Sequence, residues 1–129
     1  GIDVDDILPA LRRHLDRHGF SMVKIEKARD EIFHATRLDP EDDWVDFVYN
    51  SMQQSSGKKP AILPNLGGSL PNDIFADILH MKTIWVPHSY PGCSQHAPNE
   101  HVPAALFREA LGIMAGLYWD IGSGKAPPV

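Results

Sequence analysis

The hydrophobic positions near the start of the chain predict a helix followed by a strand. From Ile7 onward, apolar residues recur at the period of about 3.6 residues that marks an amphipathic helix. Asp5 or Asp6 can cap the start of this helix, and Gly19 can end it. Apolar and polar residues then alternate over 20–27, which is typical of a half-buried strand. Because one helix and one strand cannot close a core, we expect this segment to pack on another surface.

The chain from about residue 29 alternates between the strand period and the helix period. Asp39 and Pro40 have the residue types of an N-cap and a first helical position, and Ser56–Gly57 can end the helix that they begin. This alternation predicts an α/β fold, a layered sheet with flanking helices and parallel strand pairing. The predicted strands lie at 32–36, 61–63 and 83–86, and the further helices lie at 71–79 and 103–120.

Two helix faces and three tryptophans supply the candidate core. All of these residues are large or apolar and recur at spacings that place them on one side of an element. The helix that begins at Asp39 presents Trp44, Val45, Val48 and Met52. The last helix presents Leu106, Ala110, Ile113, Met114 and Leu117. Trp44, Trp85 and Trp119 all sit at core spacings.

The composition is that of one globular domain. The chain has 129 residues, of which 43% are hydrophobic and 22% charged, and this balance excludes disorder and fibrous classes. At this size about two-thirds of the unfolded chain's surface can be buried. A net charge of −5, with acids and bases interleaved, provides no basic surface for a nucleic-acid partner.

The sequence also predicts a cytoplasmic protein without a membrane partner. No apolar run reaches membrane-spanning length, and the first residues lack the basic flank and the apolar stretch of a signal peptide. The single cysteine, Cys93, excludes an internal disulfide and is typical of a reducing compartment.

A turn at Gly67, Gly68 and Ser69 is the first candidate site. Two glycines between a predicted strand and a predicted helix let the backbone approach a ligand, and the helix start offers free N–H groups to an anion. The Ser69 hydroxyl can add a donor. The alternative is a tight turn in which Ser69 only caps the following helix.

The polar loop at 87–101 is the second candidate site. Its imidazoles, thiol and carboxylate are all zinc-ligand types, but none of them has the HxxxH or CxxC spacing of a self-contained structural site. A small site for a single metal ion remains an alternative, and it would use His88, His96 and His101.

The GGS turn at 67–69 and the HAPNEH segment at 96–101 together resemble a known family. It is the co-catalytic zinc metallopeptidase family of carboxypeptidase G, acetylornithine deacetylase, succinyl-diaminopimelate desuccinylase, aminoacylase and cytosolic dipeptidases. The resemblance covers the carboxyl-terminal part of the family's length. It implies that 1–28 is the end of an α+β lid or dimerisation domain and that 29–122 is the second half of the catalytic domain. Independently of the resemblance, the terminal residues 123–129 are predicted to be a loose tail.

The resemblance implies a role for each matched residue. His96 matches a histidine that completes the coordination of one of two zinc ions. Asn99 and Glu100 would hold the loop in place and thereby orient the His96 imidazole. Gly67, Gly68 and Ser69 match a turn that hydrogen-bonds the carboxylate end of a substrate. The implied reaction is metal-assisted hydrolysis of an amide or peptide bond in N-acyl amino acids or small peptides.

Other parts of the family's pattern are missing from this chain. The His-x-Asp ligand motif, the bridging aspartate and the catalytic Glu-Glu pair belong to the family's amino-terminal half. His14-Leu15-Asp16 has the letters of that ligand motif but lies in the first predicted helix. Arg37 is a possible replacement for the arginine that some relatives place before the glycine pair, and a surface ion pair is its alternative reading.

The sequence therefore leaves three functional hypotheses. The first is the carboxyl-terminal part of a zinc-dependent hydrolase, which contains no catalytic residue of its own, is inactive alone and forms a homodimer. The second is a non-catalytic interaction or dimerisation module. The third is the small single-metal-binding domain.

Overall fold

Among the described residues the fold has three α-helices joined by extended segments and short helical turns. A computed structural model describes residues 3–28, 32–65, 67–68 and 70–128. The α-helices are α1 (Ile7–Arg17), α2 (Asp43–Ser56) and α3 (Ala104–Gly122). Val4–Asp6 and Pro91–Cys93 are 3-10 turns, and Ile74–Ile78 is a short π-helical turn that replaces most of the helix predicted over 71–79.

The predicted α/β fold is wrong, because the described ranges contain no β-strand. The part of the chain that the structure describes accordingly has no layered sheet with flanking helices, no second half of a zinc-peptidase-like sheet domain and no helix-strand remnant of an α+β lid. The segments at 20–27, 32–36, 61–63 and 83–86 lack ladder pairing within the described residues. Alternating side chains indicate only that a backbone tolerates an extended form, whereas a sheet needs partner strands in register.

Side chains bind the polar groups of these segments where ladder partners were expected. The His34 N–H donates to Asp73 Oδ2 at 3.1 Å. The Arg12 guanidinium donates to the carbonyls of Val23 at 2.6 Å and Phe20 at 3.2 Å. Local and side-chain partners therefore take up groups that a sheet would have paired.

The helix ends follow the local sequence signals closely, with one correction. Gly57 ends α2 with φ +68, as predicted, because a left-handed C-cap favours glycine. The cap at its start is Asp42, whose side chain accepts from the Trp44 N–H at 2.9 Å, so the predicted Asp39–Pro40 cap is wrong. Asp39 instead accepts from the Glu41 N–H in the preceding turn.

α2 and α3 form an antiparallel pair that holds most of the buried residues. Ser51 of α2 donates to Asp120 Oδ2 at 2.8 Å, and Lys58 just beyond α2 pairs with Glu109 at 2.8 Å. As the residue number rises from Ser51 to Lys58, the number of the partner residue falls from Asp120 to Glu109. The two helices therefore run antiparallel. The buried residues are Val48, Ser51, Cys93, Ala110, Ile113, Leu117 and Asp120.

The Asp120 carboxylate anchors this pair in its charged form. Lys125 Nζ donates to its Oδ1 at 2.6 Å while the Ser51 hydroxyl binds its other oxygen. The hydrogen bond from Lys125, followed by the one from Ser51, holds the pKa of Asp120 below its usual value. The carboxyl-terminal segment is also joined to α2, since the Trp44 indole N–H donates to the Pro128 carbonyl at 3.3 Å.

Some of the α3 residues predicted to lie in the core are buried, and others are not. Ala110, Ile113 and Leu117 are buried as predicted, whereas Met114 is half-buried. Trp119, placed in the core by its spacing, is 75% exposed. Only three of the 19 residues of α3 carry a charge, so this helix is apolar on nearly every side.

α3 consequently keeps an exposed apolar face, which we name the α3 outer face and define as Phe107, Leu111, Met114, Tyr118 and Ile121. Their spacing of four, three, four and three residues places them on one stripe of the helix. All of them are exposed except the half-buried Met114. α2 covers only the neighbouring stripe.

In the described part of the chain, no helix has both the length and the apolar character needed to cross a bilayer.

Candidate functional site

A large groove lies between α2 and the extended segments. It encloses about 840 Å³, a volume within the usual range for small-molecule sites. α2 supplies an apolar wall, and the segments around residues 33–38, 60–65 and 83–87 supply the rest. The α2 wall residues are Val45, Val48, Tyr49 and Met52. Three segments that are distant in the sequence therefore meet around one cavity.

Asn72 joins two of these segments at the groove. Its side-chain amide donates to Thr36 Oγ1 at 2.9 Å and to Thr83 Oγ1 at 2.8 Å. Its carbonyl oxygen accepts from the Trp85 indole N–H at 3.3 Å. One amide thus fixes the spacing of the two groove walls, the orientation of its O and N atoms being assigned from this network.

Asp73 holds the backbone near the start of the extended segment 33–38, which lines the groove. The hydrogen bond from the His34 N–H is the main cause that lowers the pKa of Asp73, so the carboxylate is the favoured form. Asn72 and Asp73 immediately precede the π-helical turn. A short helical segment therefore positions both polar anchors of the groove.

The predicted glycine turn lies partly at this groove. Gly68 and Asn65 line it, and a Cβ atom added at Gly68 would lie 3.2 Å from Cζ3 of Trp85. Gly68 thus permits a close approach to the Trp85 ring. A Cβ atom at Gly67 would meet nothing within 4 Å, and Ser69 lies outside the described residues. The predicted binding of a substrate carboxylate by this turn stays a prediction.

The HAPNEH loop is held by its own contacts. The His101 N–H donates to the Cys93 carbonyl at 3.0 Å and closes the loop, while the Ala97 N–H donates to the Ser94 carbonyl at 3.0 Å inside it. Glu100 Oε2 accepts from the backbone N–H of His96 at 3.3 Å. The loop therefore keeps its shape through interactions within residues 93–101.

Three residues of this loop adopt left-handed backbone conformations without being glycine. They are Ser94 (φ +54), His96 (φ +60) and Asn99 (φ +64). Such conformations are uncommon for non-glycine residues and cluster at functional sites. The free thiol of Cys93 lies beneath them and is almost completely buried.

The predicted site residues of the loop are close in the chain, but they do not form a metal centre in the described residues. His96 is exposed, and Glu100 contacts its backbone N–H. Asn99 contributes its carbonyl, which lies 2.8 Å from Nδ1 of His101. Their predicted role of orienting the His96 imidazole stays a prediction.

Whether this loop can hold a zinc ion depends on how many ligand side chains lie close together. A catalytic zinc ion needs about three protein ligands. Within the described ranges no three histidine, cysteine or acidic side chains lie together, and His88, His96 and His101 do not form such a group. The exposed imidazole of His96 fits zinc as one ligand, but these residues do not complete a site. We therefore derive no catalytic step from this chain.

The groove residues were not found from the sequence. Asn72 follows Pro71 ahead of a short helical segment, so it was read as part of a helix start. Arg37, the possible carboxylate partner, is exposed and lines the groove. The neighbouring Thr36 and the distant Thr83 give no local signal, because their shared partner is visible only when the chain is folded. His96, His88 and His101 are not among the groove residues.

Comparison with known proteins adds no relative, since no family model, no curated protein and no solved structure matches this chain.

Proposed function

We propose that this chain is the carboxyl-terminal part of a metal-dependent hydrolase that cleaves an amide or peptide bond in N-acyl amino acids or small peptides. In this proposal the chain contributes His96 as one zinc ligand. The observation that carries the proposal is an exposed imidazole on a loop that its own hydrogen bonds hold in shape. The motif resemblance of 67–69 and 96–101 supplies the reaction class.

The loop geometry supports a ligand role because it limits the positions of the imidazole. Glu100 holds the backbone N–H of His96, and the bond from His101 to Cys93 closes the loop behind it. A metal ligand benefits from such second contacts, since they reduce the freedom that binding must remove. The left-handed conformation of His96 is further support, because strained backbone is common at functional sites.

The groove, which His96 does not line, has the chemical character that suits the proposed substrate class. Its apolar α2 wall suits an acyl group or an apolar side chain, and Arg37 supplies a cation at its lining. A guanidinium is suited to bind a carboxylate through two parallel hydrogen bonds. The proposed substrates contain both groups.

The free, buried thiol of Cys93 is in keeping with the proposed cytoplasmic location.

The test uses the protein encoded by the complete reading frame that contains these 129 residues, with His96→Ala and the control His101→Ala. Zinc content and hydrolysis of N-acetyl amino acids and dipeptides are measured for each protein. We expect His96→Ala to lose bound zinc and to lower turnover more than about 100-fold, because a direct ligand matters more than a residue behind it. His101→Ala should keep both properties within a few-fold.

Two results would contradict the proposal. The first is an His96→Ala protein with unchanged zinc content and unchanged turnover. The second is an unaltered protein that hydrolyses none of these substrates in the presence of zinc.

We also propose a second candidate function, an interaction module that forms a homodimer. The α3 outer face favours it, because this stripe of large apolar side chains is exposed. The chain has 10,319 Å² of accessible surface, whereas a monomer of 14.4 kDa has about 7,000 Å². A stable pair needs about 800 Å² from each partner, which is less than this excess.

A further inference from the structure

We propose that His14 and His18 form a chelating site for one borderline divalent metal ion, such as Cu²⁺, Ni²⁺ or Zn²⁺, at the carboxyl-terminal turn of α1. The site is separate from the predicted metal ligand His96. Neutral imidazole nitrogens suit all three ions, and Cu²⁺ is the ion that such a site binds most tightly.

The first support is the position of the two rings. The residues are four positions apart, so they lie above one another on the same face of α1. Their ring centroids are 4.5 Å apart, and both residues are exposed. Metal ions can therefore reach both imidazoles from solvent.

The separation of the two rings in the structure is compatible with coordination to a single ion. A nitrogen ligand lies about 2.0–2.1 Å from the metal, and the ring centroid lies about 1.15 Å further out, which gives about 3.2 Å in all. Two rings in neighbouring positions about 90° apart then have centroids about 4.5 Å apart.

The second support is the rigidity of the helix end that carries the rings. The His18 N–H donates to the His14 carbonyl at 3.2 Å, which fixes the helical spacing of the pair. Beyond it, the N–H groups of Gly19 and Phe20 donate to the carbonyls of Asp16 and Leu15, and Gly19 has φ +81. This is a Schellman motif, which ends a helix with defined geometry. The site is therefore largely formed before a metal ion binds.

The third support is electrostatic. The carboxyl end of a helix carries partial negative charge and favours a cation there. Two of the nearby arginines are already matched by carboxylates, since Arg12 binds Asp16 at 2.6 Å and Arg13 binds Asp6 at 3.0 Å. Arg17 is the neighbouring cation that opposes the metal ion, so we expect moderate affinity.

Two imidazoles occupy only part of a metal ion's coordination sphere. The remaining positions are open to water or to a third donor. Because α1 packs only against its own preceding 3-10 turn among the described elements, such a donor can approach from the exposed side. Bridging two successive turns should also stabilise α1 itself, since binding favours the helical form of the pair.

The test titrates the 129-residue chain with Cu²⁺ and with Ni²⁺ by calorimetry and compares His14→Gln, His18→Gln and His96→Gln with the control His80→Gln, which changes an exposed histidine outside both proposed sites. We expect one ion per chain in the unaltered protein and at least tenfold weaker binding in each of the first two variants. The control His80→Gln should bind within about twofold of the unaltered chain. Amide hydrogen exchange in α1 should slow when Ni²⁺ is added, and this change should be absent in His18→Gln.

Three results would overturn the inference. They are unaltered binding in both α1 variants, no binding in the unaltered chain, and binding that only His96→Gln removes. The last result would support the proposed role of His96, while loss of binding in the α1 variants alone would leave that role untouched. Circular dichroism of each variant shows whether α1 remains folded, so a failure to fold cannot be mistaken for a lost ligand.

Discussion

At the residue scale, the HAPNEH loop depends on residues that accept a left-handed backbone. Asn99 has φ +64, and asparagine is enriched there because its short polar side chain can hydrogen-bond locally. His96 holds a similar conformation, which histidine also adopts more often than most residues do, and Ser94 holds one without such a preference. The residue types at 96 and 99 are therefore both suited to their backbone, whereas serine at 94 is not.

We predict that Asn99→Ala destabilises the chain by about 1 kcal/mol, because alanine is disfavoured in the left-handed region. Asn99→Gly should leave the free energy of unfolding within about 0.5 kcal/mol, since glycine adopts this conformation without a steric cost. Urea unfolding of both variants checks the prediction. Gln95→Ala, an exposed change in the same loop, is the control. Equal stability of the alanine and glycine variants at position 99 would contradict it.

At the element scale, the contact between α2 and α3 depends on a small residue. A Cβ atom at Gly116 would lie 2.0 Å from Ser55 Oγ and 3.0 Å from its Cβ, so the two helices approach closely there. Gly112, one turn earlier on α3, would meet nothing within 4 Å. The same residue type thus serves two purposes on one helix.

We predict opposite effects for alanine at these two positions. Gly112→Ala should stabilise the chain by about 1 kcal/mol, because alanine favours the helix over glycine. Gly116→Ala should destabilise it by about 1 kcal/mol, since the overlap with Ser55 outweighs that gain. Thermal unfolding measures both. A double change of Gly116→Ala with Ser55→Gly should recover most of the loss. A stabilising Gly116→Ala would show that the helices do not meet at this point.

At the scale of the whole molecule, apolar surface exceeds what the chain can cover by itself. The α3 outer face is the clearest instance, because its neighbouring stripe is already covered by α2 and its exposed side chains are large. Its repeat of four and three residues is the pattern by which two helices pack along a seam. A second copy presents the same stripe, so an antiparallel pair about a twofold axis is self-complementary.

We predict that Leu111→Glu shifts the chain from dimer toward monomer, because a buried charge without a partner is costly at such a contact. Sedimentation velocity at several concentrations measures the shift. Ala105→Glu adds the same charge at an exposed position near the start of α3, away from the outer face, and should leave the association constant within about twofold. An unaltered chain that is monomeric at high concentration would rule out the dimer.

The contributions of sequence and tertiary structure can be separated along the chain. The three α-helices and the glycine ends of the first two were predictable, because hydrophobic period, caps and C-terminal glycines act within a few residues. The HAPNEH loop was also identifiable as a local unit, since its hydrogen bonds join residues no more than eight positions apart. Its predicted metal role remains to be tested by His96→Ala.

Tertiary structure decided that the described extended segments form no sheet and that they line a groove. The segments at 32–36, 61–63 and 83–86 read as strands, but strand pairing depends on distant partners and register, and the backbone of His34 binds Asp73 instead. The groove exists because Asn72 joins Thr36 to Thr83, which are 47 positions apart in the chain. The sequence by itself determined where the three α-helices lie and where glycine ends the first two, because those signals are local. It placed the start of α2 three residues too early, at Asp39 and not at Asp42. Only the folded chain decided which extended segments meet, because their hydrogen-bond partners are far apart in the sequence.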